Sequence, residues 1–478
     1  MEKDFGDIRI GVMANRFKTQ FYHVVLERMG ISRDNVFWVC TGQPWLRYLT
    51  EAGYRRENIY YYEVTDQTED EDIEWLRQLE QDSDALIWRI IQSDRLLSRR
   101  THNPAGLLSR VGRDIEKFLL AGGVNVVFGE LTWSVELLTY HIARRLGIHY
   151  LAPHTIRIPS ERFAFFLDPF QKDFLRLGAR QADWDRLQDT ISTMVETRKP
   201  PKPRWWFLNN RVPRAEVGYV GKFFRFLKGE LFGQTRTEYM DYNLSERFAK
   251  KFRAIHRGRQ LKSLPFMKSI DSPDDGRRLA LYTLHKQPEA SVDVMGGLHT
   301  DQAALIGDIA RSLPTDYLLL VKEHSNAIGD RGKEFYERIL PLGNVRLADP
   351  WIDSHSLFDK IDTVFTVSGT VAMETSIARR RAITFAECFF TKMPGVYFAK
   401  DITELPGLLH REDDTSNESY HAFFETMVVN SFDGLIGDPL CFPDAMQEDN
   451  LKLVAQAFTT VLQSREIREP VVTSVPEP

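Results

Sequence analysis

The tightest constraint in this sequence is one rhythm that occurs twice. Short apolar runs, too brief for helices, alternate with longer stretches of helical spacing, and the alternation restarts near residue 278. In the first half the runs are 8–13, 36–40, 59–62, 85–91, 124–130 and 148–151, with helical patterns over 19–29, 107–120 and 134–146. In the second half they are 279–284, 317–323, 345–348, 363–368 and 383–386, with helical patterns over 301–312, 333–340, 354–360 and 371–379. Near-continuously apolar strands separated by helices predict parallel sheets covered on both faces. The expected fold class is therefore α/β, with two Rossmann-like domains facing a central cleft and a helical basic insertion between them. A chain of 478 residues is long enough for two such cores.

The expected organisation is an N-terminal Rossmann-like domain over 1–170 and a helical basic and aromatic linker over 171–277. A C-terminal Rossmann-like domain over 278–400, helices over 401–465 and a frayed tail over 466–478 complete it. The linker stands out by charge: residues 199–262 hold 16 Lys or Arg against 5 Asp or Glu, in a chain whose formal net charge is −5. Interleaved aromatics (Trp205, Trp206, Phe223, Phe224, Phe226) point to an anionic membrane surface, and the sequence has no nucleic-acid-binding motif. The apolar share of 43% and charged share of 27% exclude fibrous and disordered classes. Cys40, Cys388 and Cys441 are scattered, with no zinc-type spacing. The start of the chain has neither a basic nor an apolar leader segment, and no apolar run approaches the roughly 20 residues that span a bilayer. A cytoplasmic protein, peripheral on the inner membrane through 199–262, is the expectation.

Open parallel sheets bind ligands at the carboxyl ends of their strands, so the residues following each strand are the candidates. In the second half, Lys322, Glu323 and His324 follow one strand; an ammonium and an imidazole there suit a phosphate. Ser368, Gly369 and Thr370 follow another and lead into a helix carrying Glu374, offering amides and hydroxyls to a phosphate and a carboxylate to sugar hydroxyls. His285, Gln287 and Glu289 follow the domain's first strand. In the first half, Glu130 ends a strand and is the expected base or sugar ligand. Asn15, Arg16, Arg157 and Arg162 are expected on the acceptor side, the arginines neutralising an acidic sugar. Each of these residues alone is as compatible with caps, loops and structural ion pairs. The Asp82-Ser-Asp84 triplet precedes a strand and reads as a helix-end loop, so no metal site is expected. Walker, zincin and hydrolase signatures are missing.

Taken together, the run 282–290, Asp301-Gln302, Leu313-Pro314, Val321 to His324, and Val367 to Thr370 with Glu374 resemble the capsule polysaccharide biosynthesis family. That family includes the β-Kdo transferases that build the lipid-linked primer of group 2 capsules, and it is similar, more distantly, to bacterial sialyl- and polysialyltransferases. The resemblance is strongest over 278–386, weaker through Glu130 to Thr132 and 157–166, and does not cover the basic segment. It implies a metal-independent GT-B glycosyltransferase without a cofactor. A nucleotide-sugar donor, CMP-linked by preference and carrying Kdo or another acidic sugar, would bind at His324 and Ser368–Thr370. A glycan or glycolipid acceptor would lie against the first half. The family's His-Pro pair reads His324-Ser325 here. Two alternatives stay open: a nucleotide-sugar epimerase or hydrolase on the same fold, and a non-catalytic scaffold in a polysaccharide assembly complex.

Overall fold

The computed structural model describes residues 5, 7–64, 71–177, 184–200, 242, 244–270, 276–324, 327–412 and 415–468. Most of the aromatic, basic stretch proposed for membrane contact (201–241), together with Ser325 and the tail from 469, lies outside the described residues.

The first sheet is built from β1 (Ile10–Ala14), β2 (Val36–Thr41), β3 (Ile59–Tyr62), β4 (Val126–Phe128), β5 (His149–Thr155) and β6 (Arg162–Phe166). The strands β7 (Phe266–Met267), β8 (Arg278–Thr283), β9 (Tyr317–Lys322), β10 (Val345–Ala348), β11 (Thr363–Thr366), β12 (Arg381–Thr384) and β13 (Val396–Phe398) form the second. A last short strand, β14 (Phe432–Asp433), returns to the first. The orders are β14-β6-β5-β4-β1-β2-β3 and β13-β12-β11-β8-β9-β10-β7. The second sheet is parallel throughout. In the first, β1 to β5 are parallel, while β6 and β14 turn antiparallel at one edge. Every residue of β1 and β2 is buried, as strands covered by helices on both faces require.

Two expectations change. The run 85–91 is a helix, Ile87–Ser93, and not a strand. Ile87, Ile90 and Ile91 are buried on one stripe, while Leu86 and Trp88 are 59% and 62% exposed, which is helical spacing hidden inside a short apolar run. The helix expected over 354–360 is a single 3-10 turn, Ser354–Leu357. The Asp82-Ser-Asp84 triplet does close a helix, with Asp84 as its left-handed C-cap.

The end of the chain completes the beginning. The helix Glu448–Gln463 packs on the helix Lys18–Met29, and buried Phe458 meets Phe128 in a tilted contact at a ring-centroid distance of 4.7 Å and Phe165 and Tyr22 edge-on at 5.0 Å and 6.3 Å. Arg162, 1% exposed, ties β6 to β14. Its Nε donates to Ser431 Oγ, Nη2 to the carbonyls of Val428 and Ser431, and Nη1 pairs with Asp433 at 2.6 Å. Arg162 is therefore not an acceptor-side cation: all its donors are consumed inside the fold, where an unpaired guanidinium would be costly.

Phe458→Ala should destabilise the protein by about 3–5 kcal/mol, as loss of a fully buried aromatic does. Leu453→Ala, 44% exposed on the same helix, should stay within about 0.5 kcal/mol. Urea denaturation followed by tryptophan fluorescence measures both; equal effects would mean that the helix only rests on the sheet.

Candidate functional site

The strand order reverses beside β1 in the first sheet and beside β8 in the second, and the crevice at such a point is where these sheets hold ligands. In the first sheet the reversal lies between β1 and β4. Gly129 follows β4, and a Cβ there would come within 2.5 Å of Tyr150 Oη, so only glycine lets the chain turn. Tyr150 Oη donates to the Glu130 carbonyl at 2.8 Å. The Glu130 carboxylate pairs with Lys18, just after β1. A second carboxylate, Glu136 on the first turn of the helix Ser134–Arg145, is buried behind it. It accepts from Asn15 Nδ2 (2.7 Å), Thr132 N (2.8 Å), Thr132 Oγ1 (3.1 Å) and Trp133 N (3.0 Å). Burial, and then the charge of Glu130, push the Glu136 carboxyl up. Burial also opposes charge on Glu130, but Lys18, with His154 and Arg95, outweighs it and holds Glu130 below the usual range. The two neighbouring carboxyls are thus driven apart, Glu130 downward and Glu136 upward. Asn15, expected on the acceptor side, serves this pair from within the fold.

In the second sheet the reversal lies between β8 and β11. The two strand ends meet directly. His285 Nε2 lies 2.8 Å from Thr366 Oγ1 and accepts from Ser368 N at 3.4 Å, and Gly369 N donates to Thr366 Oγ1 at 3.1 Å. Ser368 Oγ donates to the Ser291 carbonyl at 2.5 Å. His285 and Ser368 thus build the turn, while Gly369 and Thr370, half-buried, form its open face. Thr370 makes no side-chain cap to the helix Val371–Ile377, so that role does not occupy its hydroxyl. Glu374 Oε2 lies 2.8 Å from Nε2 of His355, a residue after β10 that sequence reasoning missed. Its signal was its place, since every loop at this edge of the sheet follows a strand's carboxyl end.

After β9 the three candidates divide. Glu323 is buried and spent: Arg331 Nη1 lies 2.7 and 2.9 Å from its oxygens, Tyr336 Oη donates at 2.6 Å and His324 N at 2.7 Å. It anchors the loop and is not a donor ligand. Gln287 is likewise structural, its amide nitrogen donating to Asp293 Oδ1 (2.9 Å) and the Thr300 carbonyl (3.1 Å). Lys322 donates to the Pro350 carbonyl at 3.2 Å, and burial lowers its ammonium. His324 is pushed down to about 4 by burial and then by Lys322, Lys286 and Arg331. A neutral imidazole ringed by cations marks an electropositive pocket. Lys286 and Arg331 belong to it and were not singled out in the sequence.

The two edges face each other across one cleft. Half-buried Arg157 lies within electrostatic reach of Glu289 from the opposite half. Arg89 sits over the Phe170 ring and donates to the Val294 carbonyl at 3.3 Å. Arg100 and Glu246 form a two-pronged pair at 3.0 and 2.9 Å. Arg16, in a left-handed conformation at φ 51°, turns the chain out of β1. Between the halves lies a cavity of about 420 Å³, bordered by Arg95 and Arg99 on one side and Gln287, Asp293, Arg331 and Phe335 on the other. Among the described residues no group of three or more His, Cys, Asp or Glu is placed to hold a metal ion, and no helix is long and apolar enough to cross a membrane.

No family model and no curated protein matches this chain. Among solved structures, the chain is similar to the Thermosulfurimonas dismutans KpsC β-Kdo 2,7 transferase at 8% identity and a TM-score of 0.38, covering 97% of this chain and 100% of that one. It is similar to the UDP-GlcNAc 2-epimerase of Methanocaldococcus jannaschii at 14% identity and a TM-score of 0.25, over 88% and 99%. A third likeness is to Anabaena Alr3699/HepE in complex with UDP and glucose, at 11% and a TM-score of 0.23, over 95% and 99%. Likenesses this distant carry no weight for activity, which has to come from the residues in the cleft.

His285 is held down to about 3, by burial first and then by His324 and Arg331. Its folded value lies below the unfolded 6.5, so between the two the unfolded chain binds the extra proton and stability falls as pH falls. The slope expected from His285 is about 1.4 kcal/mol per pH unit. Urea midpoints from neutral pH down to about 5 should decline, and less steeply in His285→Gln; a variant as pH-dependent as the parent would show that His285 is not buried neutral.

Proposed function

We propose that this protein transfers a sugar from a nucleotide-activated donor to a hydroxyl acceptor. The observation that carries the reading is the pairing across one cleft. A carboxylate held below its usual range stands at the reversal point of one sheet, and a glycine turn packed on His285 stands at that of the other, with cations gathered around neighbouring His324.

In this reading the donor's phosphate lies against Gly369 and Thr370, within the field of Lys286 and Lys322, and accepts a hydrogen bond from the neutral His324 imidazole. Glu374, oriented by His355, accepts from hydroxyls of the nucleoside. The acceptor oxygen attacks the anomeric carbon, its proton passes to Glu130, and the bond from that carbon to the phosphate oxygen breaks. The departing nucleotide takes the electron pair, and the surrounding cations stabilise the charge that develops. Lys18 keeps Glu130 ionised in the free protein and yields its place as the hydroxyl binds. Cleft walls from both halves keep water from the donor. A CMP-linked acidic sugar is the donor favoured by the sequence resemblance. A role in surface polysaccharide synthesis, with residues 199–262 touching an anionic membrane, belongs to the same proposal on the strength of that segment's charge and aromatics.

Thermal-shift and calorimetric binding of CMP, UDP, GDP and ADP tests the donor side. One of them should bind, and His324→Ala should weaken it at least about tenfold, about 1.4 kcal/mol. Glu130→Gln should bind that nucleotide as the parent does while losing about 10²–10⁴ in transfer rate. Wild-type protein that binds none of the four sinks the reading. So does release of an epimerised or free sugar with no acceptor required.

A further inference from the structure

The cavity between the halves has cations that the proposed chemistry does not use. We infer that Arg95 and Arg99 bind an anionic group, a carboxylate or phosphate, carried by the acceptor. This rests on the transferase reading and names the acceptor's chemical class.

Of the carboxylates around the cavity, Asp94 and Asp301 are engaged through both oxygens. Asp94 accepts from Ser134 N (3.1 Å), Ser134 Oγ (2.6 Å), Leu96 N (3.0 Å) and Leu97 N (2.9 Å). Asp301 caps the helix Gln302–Ser312 and pairs with Arg338 at 2.8 Å. Asp293 accepts the Gln287 amide on one oxygen, its other oxygen is buried without a hydrogen-bond partner, and burial pushes its carboxyl up while nearby Arg95 draws it down.

The cations divide in the opposite way. Arg331 is committed to Glu323 and the His285 carbonyl. Arg95 stacks over the Trp133 ring at 4.8 Å, and its Nε is buried without a hydrogen-bond partner. A buried guanidinium donor left unbonded is costly unless a ligand takes it. Arg99 is exposed at the cavity's edge, and among the described residues neither it nor Arg95 forms an ion pair. Lys250 lies within electrostatic reach of Asp330 and of the cations Lys286, Arg253 and Arg99. Two planar guanidiniums facing one space suit a carboxylate or a phosphate, which accept two hydrogen bonds at once. The volume falls within the ordinary range for small-molecule sites, about 300–1,000 Å³.

Position assigns the ligand to the acceptor. Arg95 lies close enough to Glu130 to help hold its carboxylate charged, so an anion gripped here brings its sugar hydroxyls toward the base. The loop 285–302 forms one wall of the cavity, and its Ser291 carbonyl binds Ser368 in the donor turn. Acceptor and donor would thus meet along one shared wall.

The test is calorimetric titration of nucleotide-saturated protein with three probes: glucuronate, glucose 6-phosphate and glucose. At least one anionic sugar should bind and glucose should not. Glucuronate alone would indicate a carboxylate-bearing acceptor, glucose 6-phosphate alone a phosphorylated one, and either supports the site. Arg99→Glu should weaken that binding at least about tenfold while nucleotide affinity changes by no more than about twofold. Arg95→Gln is the second variant. Glucose binding as well as both anions, neither anion binding, or full binding in both variants overturns the proposal. If no nucleotide binds wild-type protein, the transferase reading fails instead. The same titration on free protein then decides the anion site by its dependence on the two arginines.

Discussion

The structure depends on an aromatic contact made between residues hundreds of positions apart. Phe458 closes the face of the first sheet against Phe128, Phe165 and Tyr22. Without that cover the strands leading to Gly129 and Glu130 would have one apolar face open to water. Arg162 secures the same junction from the sheet's edge through Asp433 and Ser431. The first half is thus assembled from both ends of the chain, while the second is continuous. Such connectivity fixes where the two carboxyl edges stand: the chain crosses from one half to the other after β6 and crosses back before β14.

The cleft is electrostatically uneven, and the unevenness has local causes. On the first side, Lys18 holds the Glu130 carboxyl down, while burial and the charge of Glu130 push the Glu136 carboxyl up. On the second side, positive charge gathers around His324 because β8 and β9 are neighbours and each ends in a basic loop. Neither half holds both the proposed base and the proposed phosphate pocket, so the proposed chemistry needs the two edges to meet. Charges of opposite sign fixed on facing walls before any ligand arrives are preorganisation in the electrostatic sense.

Much of the architecture was legible in the sequence because buried parallel strands leave an unbroken apolar signature. Strands such as Tyr317–Lys322 and Thr363–Thr366 are buried on both faces, and their runs are visible as runs. The helix at Ile87–Ser93 was not legible, since seven residues with three buried isoleucines lie below the length that separates a helix from a strand. The pairing of β14 with β6 was invisible because two-residue strands carry no periodicity. At the site, a residue's position after a strand identified Glu130, His324, Gly369 and Thr370 as candidates. It did not reveal which side chains the fold would consume. Arg162 and Glu323 carry the same chemistry as useful site residues, yet their partners, Asp433 and Arg331, are found only after the chain has folded. Lys286 and His355 were passed over for the converse reason, being ordinary loop residues until neighbouring strands place them together.

The helix Leu244–Gln260 has a mechanical consequence. Its start is held to the first half by the two-pronged pair of Glu246 with Arg100, and its end to the second half by Arg257, whose Nη1 donates to the Asp330 carbonyl at 2.6 Å. It is therefore a brace fastened at both ends across the mouth of the cleft. The two halves cannot swing apart unless one fastening lets go.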